Sequence, residues 1–202
     1  MQPELHYNTV FDAQQHFRLL LDSMSRPGKI NTFPSSNILP PAGLNQAAAL
    51  TGFALLNADT NYHITVQNST DIADYLLVNT AAQQVDIAVA DYIFLPENHD
   101  GRGLHEARVG TPVYPEDSAT LIAAAQVISA VAMTDSLKIT MNGPGVNGEA
   151  TVWVKGINPD LLNYLKEQNS EYPLGIDLII TDGQNNVLCL PRSNRFTYTQ
   201  TN

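Results

Sequence analysis

Cysteine is almost missing from this sequence. Cys189 stands alone inside the apolar run Val187-Leu188-Cys189-Leu190, so no internal disulfide can form. Reactive thiols sit in electropositive, accessible places, and a thiol inside such a run is expected to be buried and inert. Basic residues are scarce as well: ten Lys and Arg stand against twenty Asp and Glu, a formal charge of -10. That balance argues against free nucleic acid as the main partner, although a few clustered arginines can still hold a small anion. Only Lys29, Lys138, Lys155 and Lys166 are lysines, and none lies in an apolar stretch where a Schiff-base amine would be activated. No apolar run approaches the roughly 20 residues of a membrane-spanning helix. The opening MQPELHYNTVFD is polar and nearly uncharged, unlike a cleavable signal, so no membrane attachment and a cytoplasmic location are expected. The nucleophile pattern G-x-S-x-G and the phosphate loop G-x-x-x-x-G-K-[ST] are both missing, which removes the two commonest motif-based enzyme readings.

What is present suits one domain over residues 1–202, long enough to bury a proper core. Residues 143–148, GPGVNG, match G-x-G-x-x-G letter for letter. The dinucleotide pattern has mechanical meaning only between an incoming strand and an outgoing helix, whose N-terminus meets the pyrophosphate. Ser136 to Met141 alternates as a strand should, but Glu149 to Val154 is β-branched and aromatic and also reads as a strand. The expectation is therefore a glycine-rich connection between antiparallel strands, with no bound cofactor.

Helices are expected in four places. Asp12 with Gln15 forms a capping-box pattern ahead of Phe17, Leu20, Leu21 and Met24 at helical spacing, and Ser25-Arg26-Pro27-Gly28 ends that run. A second helix runs from near Asn45 to Asn57, and a third, capped by Ser69 or Thr70, runs through Ile72, Tyr75 and Leu76. Asn158-Pro159-Asp160 opens a fourth, with Leu161, Leu162 and Leu165 behind it. Strands are expected at Tyr62 to Val66 and Val85 to Ala90, and the apolar segment Ala119 to Ser129 reads as a buried strand or an interior segment, in core or interface. Ile176 to Thr181 and Val187 to Leu190 read as a hairpin around a polar turn. From Leu95 to Asp117, repeated Pro and Gly forbid a long regular element. The sum is an α/β domain with a mixed sheet.

Few residues suggest chemistry. His99 and His105 share a glycine-rich loop with two acids and two arginines, but no metal-ligand spacing is met, and no metal is expected. His16 and His63 are lone histidines of a helix and a strand, the setting of structural histidines. Asp177 interrupts an apolar strand, and folding the terminal hairpin brings it near Pro191 and Arg192. An ion pair is expected there, with a structural or a functional role.

Three segments, DAQQHFRLLLDSMSRPGKI (12–30), VGTPVYPEDSATLI (109–122) and YPLGIDLIITDGQNNVLCLPRSNRF (172–196), carry a resemblance that covers nearly the whole chain. The chain resembles the H subunit of the bacterial carbon-phosphorus lyase system. It departs from that pattern at Val146, where isoleucine is expected, and in the asparagine-rich turn at Asn185 and Asn186. The resemblance implies a three-layer α/β/α fold like a truncated pyridoxal-phosphate transferase without its cofactor lysine. It also implies homodimers that join the G, I and J subunits in a core complex. That complex supports formation of alpha-D-ribose 1-methylphosphonate 5-triphosphate from MgATP and an alkyl phosphonate. The resemblance supplies no catalytic residue. Shape and charge nominate Arg26 with Lys29 and Arg192 with Arg195, beside Asp177, for a phosphonate, a triphosphate or, by preference, the acidic face of a partner. A stand-alone anion-binding protein or enzyme is the alternative.

Overall fold

A computed structural model describes residues 2–4, 7–66 and 69–201. Helix α1 (Phe11–Ser25) forms where the apolar spacing places it, but its cap lies earlier than the sequence suggests. The Asn8 side chain accepts the N–H groups of Val10 and Phe11 at 3.0 and 2.9 Å, and the Asp12 carboxylate reaches back to Asn8 N–H at 2.8 Å. The reciprocal logic of a capping box is kept, with Asp12 moved into the first turn, where the helix dipole favours an acid. The helix ends as expected, at Arg26 and a Gly28 with φ of +91°. Helix α2 (Gln46–Leu55) is capped by Asn45, which accepts Ala48 N–H at 2.7 Å. Helix α3 (Thr70–Thr80) starts after Ser69, whose side chain makes no capping bond, and stops at Ala81 with φ of +62°. Helix α4 (Pro159–Gln168) has its proline at the first position and Asn158 accepting Asp160 N–H at 2.9 Å.

Seven strands form the main sheet: β1 (Asn31–Thr32), β2 (Asn61–Ile64), β3 (Gln83–Gln84), β4 (Tyr92–Leu95), β5 (Thr120–Ala124), β9 (Asp177–Thr181) and β10 (Asn186–Leu190). Their order is β1-β10-β9-β5-β4-β2-β3, parallel from β9 through β3, with β10 antiparallel to both of its neighbours. A second, antiparallel sheet is ordered β11-β7-β8-β6, from β6 (Val127–Ser129), β7 (Leu137–Asn142), β8 (Ala150–Lys155) and β11 (Arg195–Gln200).

The mixed α/β sheet agrees with the sequence, but three expectations need correction. Val85 to Ala90 is no strand: Ile87–Val89 is a 3-10 turn, and the strand is the apolar run at β4. Val85, Ile87 and Val89 mimic a strand's alternation, yet Val89 is 53% exposed because the turn points it away from the core. Ala119 to Ser129 is not one strand either. It crosses from β5 to β6, one in each sheet, and Leu121, Ile122, Ala123 and Ile128 all sink into core. Finally, the third layer is not a helical layer but the four-stranded sheet together with α4. Alternation sorts the two sides. Ile93, Leu121, Leu178 and Leu188 join Ile139, Val152 and Leu162 in one core, while Phe94, Ile122, Ile179 and Cys189 join α1, α2 and α3 in the other. Each fully buried Leu or Ile contributes about 1.5–3 kcal/mol, so this double-sided burial is what holds β5 and β9 central.

Asp182 links the two sheets. Its carboxylate is fully buried and accepts the backbone N–H of Ile128 at 2.9 Å, of Gln184 at 2.9 Å and of Asn186 at 3.0 Å, with the Asn186 amide also at 3.0 Å. Four donors replace the water that a buried carboxylate loses.

Candidate functional site

GPGVNG joins β7 to β8, an antiparallel pair, and no helix follows it. Its glycines serve close packing. A Cβ on Gly145 would lie 2.1 Å from the Ser25 carbonyl oxygen, and one on Gly28 would lie 2.4 Å from the Ala150 Cβ. The turn after α1 and the turn after β7 are thus pressed together at positive φ, which only glycine adopts without strain.

Arg26 and Lys29 leave that same turn, but they do not form a free basic pair. Asp22 accepts from Arg26 at 2.8 Å, from Lys29 at 2.5 Å and from the Asn31 amide at 2.8 Å. Hydrogen bonds from Lys29, then from Asn31, hold the Asp22 carboxyl below its ordinary value. The cluster ties the C-terminal end of α1 to β1, and the shared Asp22 carboxylate offsets one of its two positive charges.

Asp177 and Arg192 meet as the hairpin requires. Asp177 opens β9, and Arg192 follows β10 by two residues. The carboxylate accepts Arg192 N–H at 2.7 Å, Nε at 3.1 Å and Nη2 at 2.6 Å. Nη1 donates to the Pro115 carbonyl at 2.8 Å. The two side chains are only 16% and 18% exposed. A guanidinium carries five N–H donors, and these contacts engage one on each of its nitrogens, so Arg192 acts as a brace between the hairpin and the 109–118 loop. Gly175 N–H bonding Val109 O at 2.9 Å closes the same junction. A cleft of ≈ 320 Å³ opens beside it, walled by Pro115, Glu116, Tyr172, Pro173 and Ser193.

Arg195 lies elsewhere. It begins β11 opposite Asn142, is exposed, and forms no ion pair among the described residues. Arg192 and Arg195 line separate clefts, so the two do not make one anion site. The residue that shares a cleft with Arg195 is Lys166 of α4. Sequence reasoning had only a weak hint of it, a cation in the last turn of a helix, because nothing local connects residue 166 to residue 195.

Among the described residues, no histidine and no cysteine lines either arginine cleft. His16 is buried, stacked on Tyr7 at 5.7 Å and edge-on to Phe33 at 5.0 Å between ring centres, and burial lowers its affinity for a proton. His63 Nδ1 bonds the Val85 carbonyl at 2.9 Å. His99 Nδ1 accepts Gly101 N–H at 3.0 Å, and His105 points to Glu106. No group of three or more His, Cys, Asp or Glu is placed to hold a metal ion among the described residues. The Cys189 thiol is fully buried, and that burial pushes its pKa far up. An ion pair absent from the sequence reading joins Arg108 to Asp91, with Arg108 also reaching the Ala90 carbonyl. At the C-terminal ends of β4 and β5, where α/β sheets usually take ligands, a cavity of ≈ 530 Å³ is walled by Pro40 to Asn45, Pro96, Glu97 and Ala124, without a lysine.

A family model described as bacterial phosphonate metabolism protein (PhnH) matches residues 6–197. The chain is 29% identical over 188 residues, 92% of its own length and 90% of the relative's, to "Alpha-D-ribose 1-methylphosphonate 5-triphosphate synthase subunit PhnH" of Rhizobium meliloti (strain 1021). It is 30% identical over 182 residues, 89% of its own length and 83% of the relative's, to "Putative C-P lyase subunit protein HtxG" of Stutzerimonas stutzeri.

Proposed function

Because the chain belongs to the bacterial phosphonate metabolism protein (PhnH) family along residues 6–197, we propose that it is a subunit of a carbon-phosphorus lyase core complex. In that role it supports formation of alpha-D-ribose 1-methylphosphonate 5-triphosphate from MgATP and alkyl phosphonate. The observation that carries this reading is the near-full-length likeness to a relative named as a subunit of that synthase.

The surface is consistent with a docking role. Val10 (68%), just before α1, and Phe11 (73%), Phe17 (46%) and Leu21 (56%) of the helix are exposed, beside a small apolar cleft lined by Leu20, Met24, Leu55 and Tyr92. A ridge of large apolar side chains costs solubility unless a partner covers it. The proposed partners are a second copy of the chain and the G, I and J subunits, in the cytoplasm. No helix among the described residues is long and apolar enough to cross a membrane. We also keep as a proposal the kinship of the main sheet with pyridoxal-phosphate transferases that have lost their cofactor lysine. In its favour, the cavity at the C-terminal ends of β4 and β5 is walled without a lysine.

Co-expression of the tagged chain with the G, I and J subunits, followed by sizing, tests the proposal. Stoichiometric retention is expected, and Phe17→Glu with Leu21→Glu should reduce it while the fold survives. A chain that retains nothing restores the stand-alone reading.

A further inference from the structure

We infer that the cleft between the C-terminal end of α4 and the start of β11 binds a phosphoryl or phosphonyl oxyanion bearing a small organic group. The cleft has a volume of ≈ 360 Å³, and its wall contains Lys166, Arg195, Asn142, Thr197 and Phe196 but no carboxylate. Five of the ten Lys and Arg, namely Arg26, Lys29, Arg102, Arg108 and Arg192, sit on acids; Arg18, Lys138 and Lys155 form no ion pair among the described residues either, but Lys155 lines a cleft that also holds Asp135. Two unpaired cations in one cleft are a concentration of positive charge against a background of -10.

Lys166 is also held in place. Its Nζ lies 5.6 Å from the Phe196 ring centre and 5.0 Å from that of Tyr198, and the Tyr198 hydroxyl is fixed by donating to Asn163 Oδ1 at 2.7 Å. Aromatic faces position an ammonium without consuming its charge as a carboxylate would. The helix dipole alone would account for a cation at Lys166, and protection of a sheet edge would account for one at Arg195. Neither explains why both line one cleft whose wall lacks an acid.

The chemistry then selects the ligand. A planar guanidinium binds two oxygens of a tetrahedral anion side by side, and an ammonium supplies a point charge to a third. The Asn142 amide and the Thr197 hydroxyl make no other side-chain bond among the described residues and add neutral donors. The volume exceeds that of a bare oxyanion, and Phe196 offers an apolar wall to an organic remainder. The cleft supplies the positive charge, and the choice of a phosphoryl or phosphonyl group over another oxyanion rests on the proposed function. The cleft belongs to the core on the face of the main sheet opposite to α1, so the docking proposal and this one fail separately.

Titration calorimetry of the full-length chain at fixed low ionic strength tests it, with inorganic phosphate and methylphosphonate as probes. Saturable binding of at least one probe is expected, and a preference for methylphosphonate identifies the organic group as part of what is recognised. Arg195→Gln, at an exposed position, should weaken binding about tenfold, the worth of one hydrogen bond to a charged group. Lys166→Gln should weaken it as well, and Lys138→Gln, which removes a lysine outside the cleft, should not. No saturable heat at millimolar probe would overturn the inference. So would Arg195→Gln binding like wild type, or Lys138→Gln losing as much as Arg195→Gln.

Discussion

Arg192 and Arg195 leave the same short segment after β10, yet one is enclosed and the other open. Arg192 donates to Asp177 and to the Pro115 carbonyl at 16% side-chain exposure, while Arg195 is exposed and lacks an ion-pair partner among the described residues. The difference comes from what each strand faces. Arg192 follows a central strand and meets Asp177 at the head of its hairpin partner, whereas Arg195 begins the edge strand of the smaller sheet. Formal charge is the same at both positions, but a cation whose donors are spent is architecture, and one whose donors are free is available to a ligand.

Replacing each arginine should separate these roles most sharply. Arg192→Met leaves the Asp177 carboxylate enclosed without its partner and should cost about 3 kcal/mol. The denaturation midpoint would fall at unchanged m. Adding Asp177→Asn should recover part of the loss, because the stranded charge goes with it. Arg195→Gln should change the unfolding free energy by less than about 0.5 kcal/mol, as exposed substitutions do. Equal losses from Arg192→Met and Arg195→Gln would erase the distinction between brace and binding group.

The same contrast recurs within the glycine turn. Gly145 and Gly148 have φ of +79° and +75°, but a Cβ on Gly145 would collide with the Ser25 carbonyl, whereas one on Gly148 meets nothing within 4 Å. Gly148→Ala should cost only the left-handed backbone penalty, about 1 kcal/mol. Gly145→Ala should cost about 2 kcal/mol or more, because the turn after α1 must also move. Thermal unfolding of the two variants provides the check. Equal shifts would mean that backbone conformation alone, and not the packing of turn on turn, calls for glycine at residue 145.

Local chemistry made much of this legible in the sequence. Asn158-Pro159-Asp160 announces α4, and the alternation on both sides of GPGVNG announces β7 and β8. Asp177 within an apolar strand pointed to Arg192, because a hairpin fixes which residues meet across it. The illegible features depend on contacts distant in the chain. β11 pairs with β7 across more than a helix and a hairpin, and β1 pairs with β10 from the other end of the chain. The apolar run from Ala119 to Ser129 hides a change of sheet at Gln126, since core on both sides makes both halves look alike. Lys166 gives no local sign that it will share a cleft with Arg195.

The smallest expected effect lies in the histidines and extends the contrast of enclosed and open to pH. His105 is exposed beside Glu106, while His16 is buried between Tyr7 and Phe33. Burial is the larger influence on His16 and lowers its pKa from 6.5, with Asp12 opposing it less strongly. The unfolded chain therefore binds a proton at a higher pH than the folded chain does. Stability is complete above about pH 6.5 and declines as the pH falls toward the lowered folded value, where the imidazole charges in place. The slope from one such group cannot exceed about 1.4 kcal/mol per pH unit. His16→Gln removes the titrating group, so the difference between wild type and variant should change with pH only on the acid side of pH 6.5. Urea midpoints at pH 7.5, 6.5 and 5.5 measure it. A pH-independent difference would mean that His16 titrates alike in the folded and unfolded chain, and that its aromatic enclosure is more open to water than its packing implies.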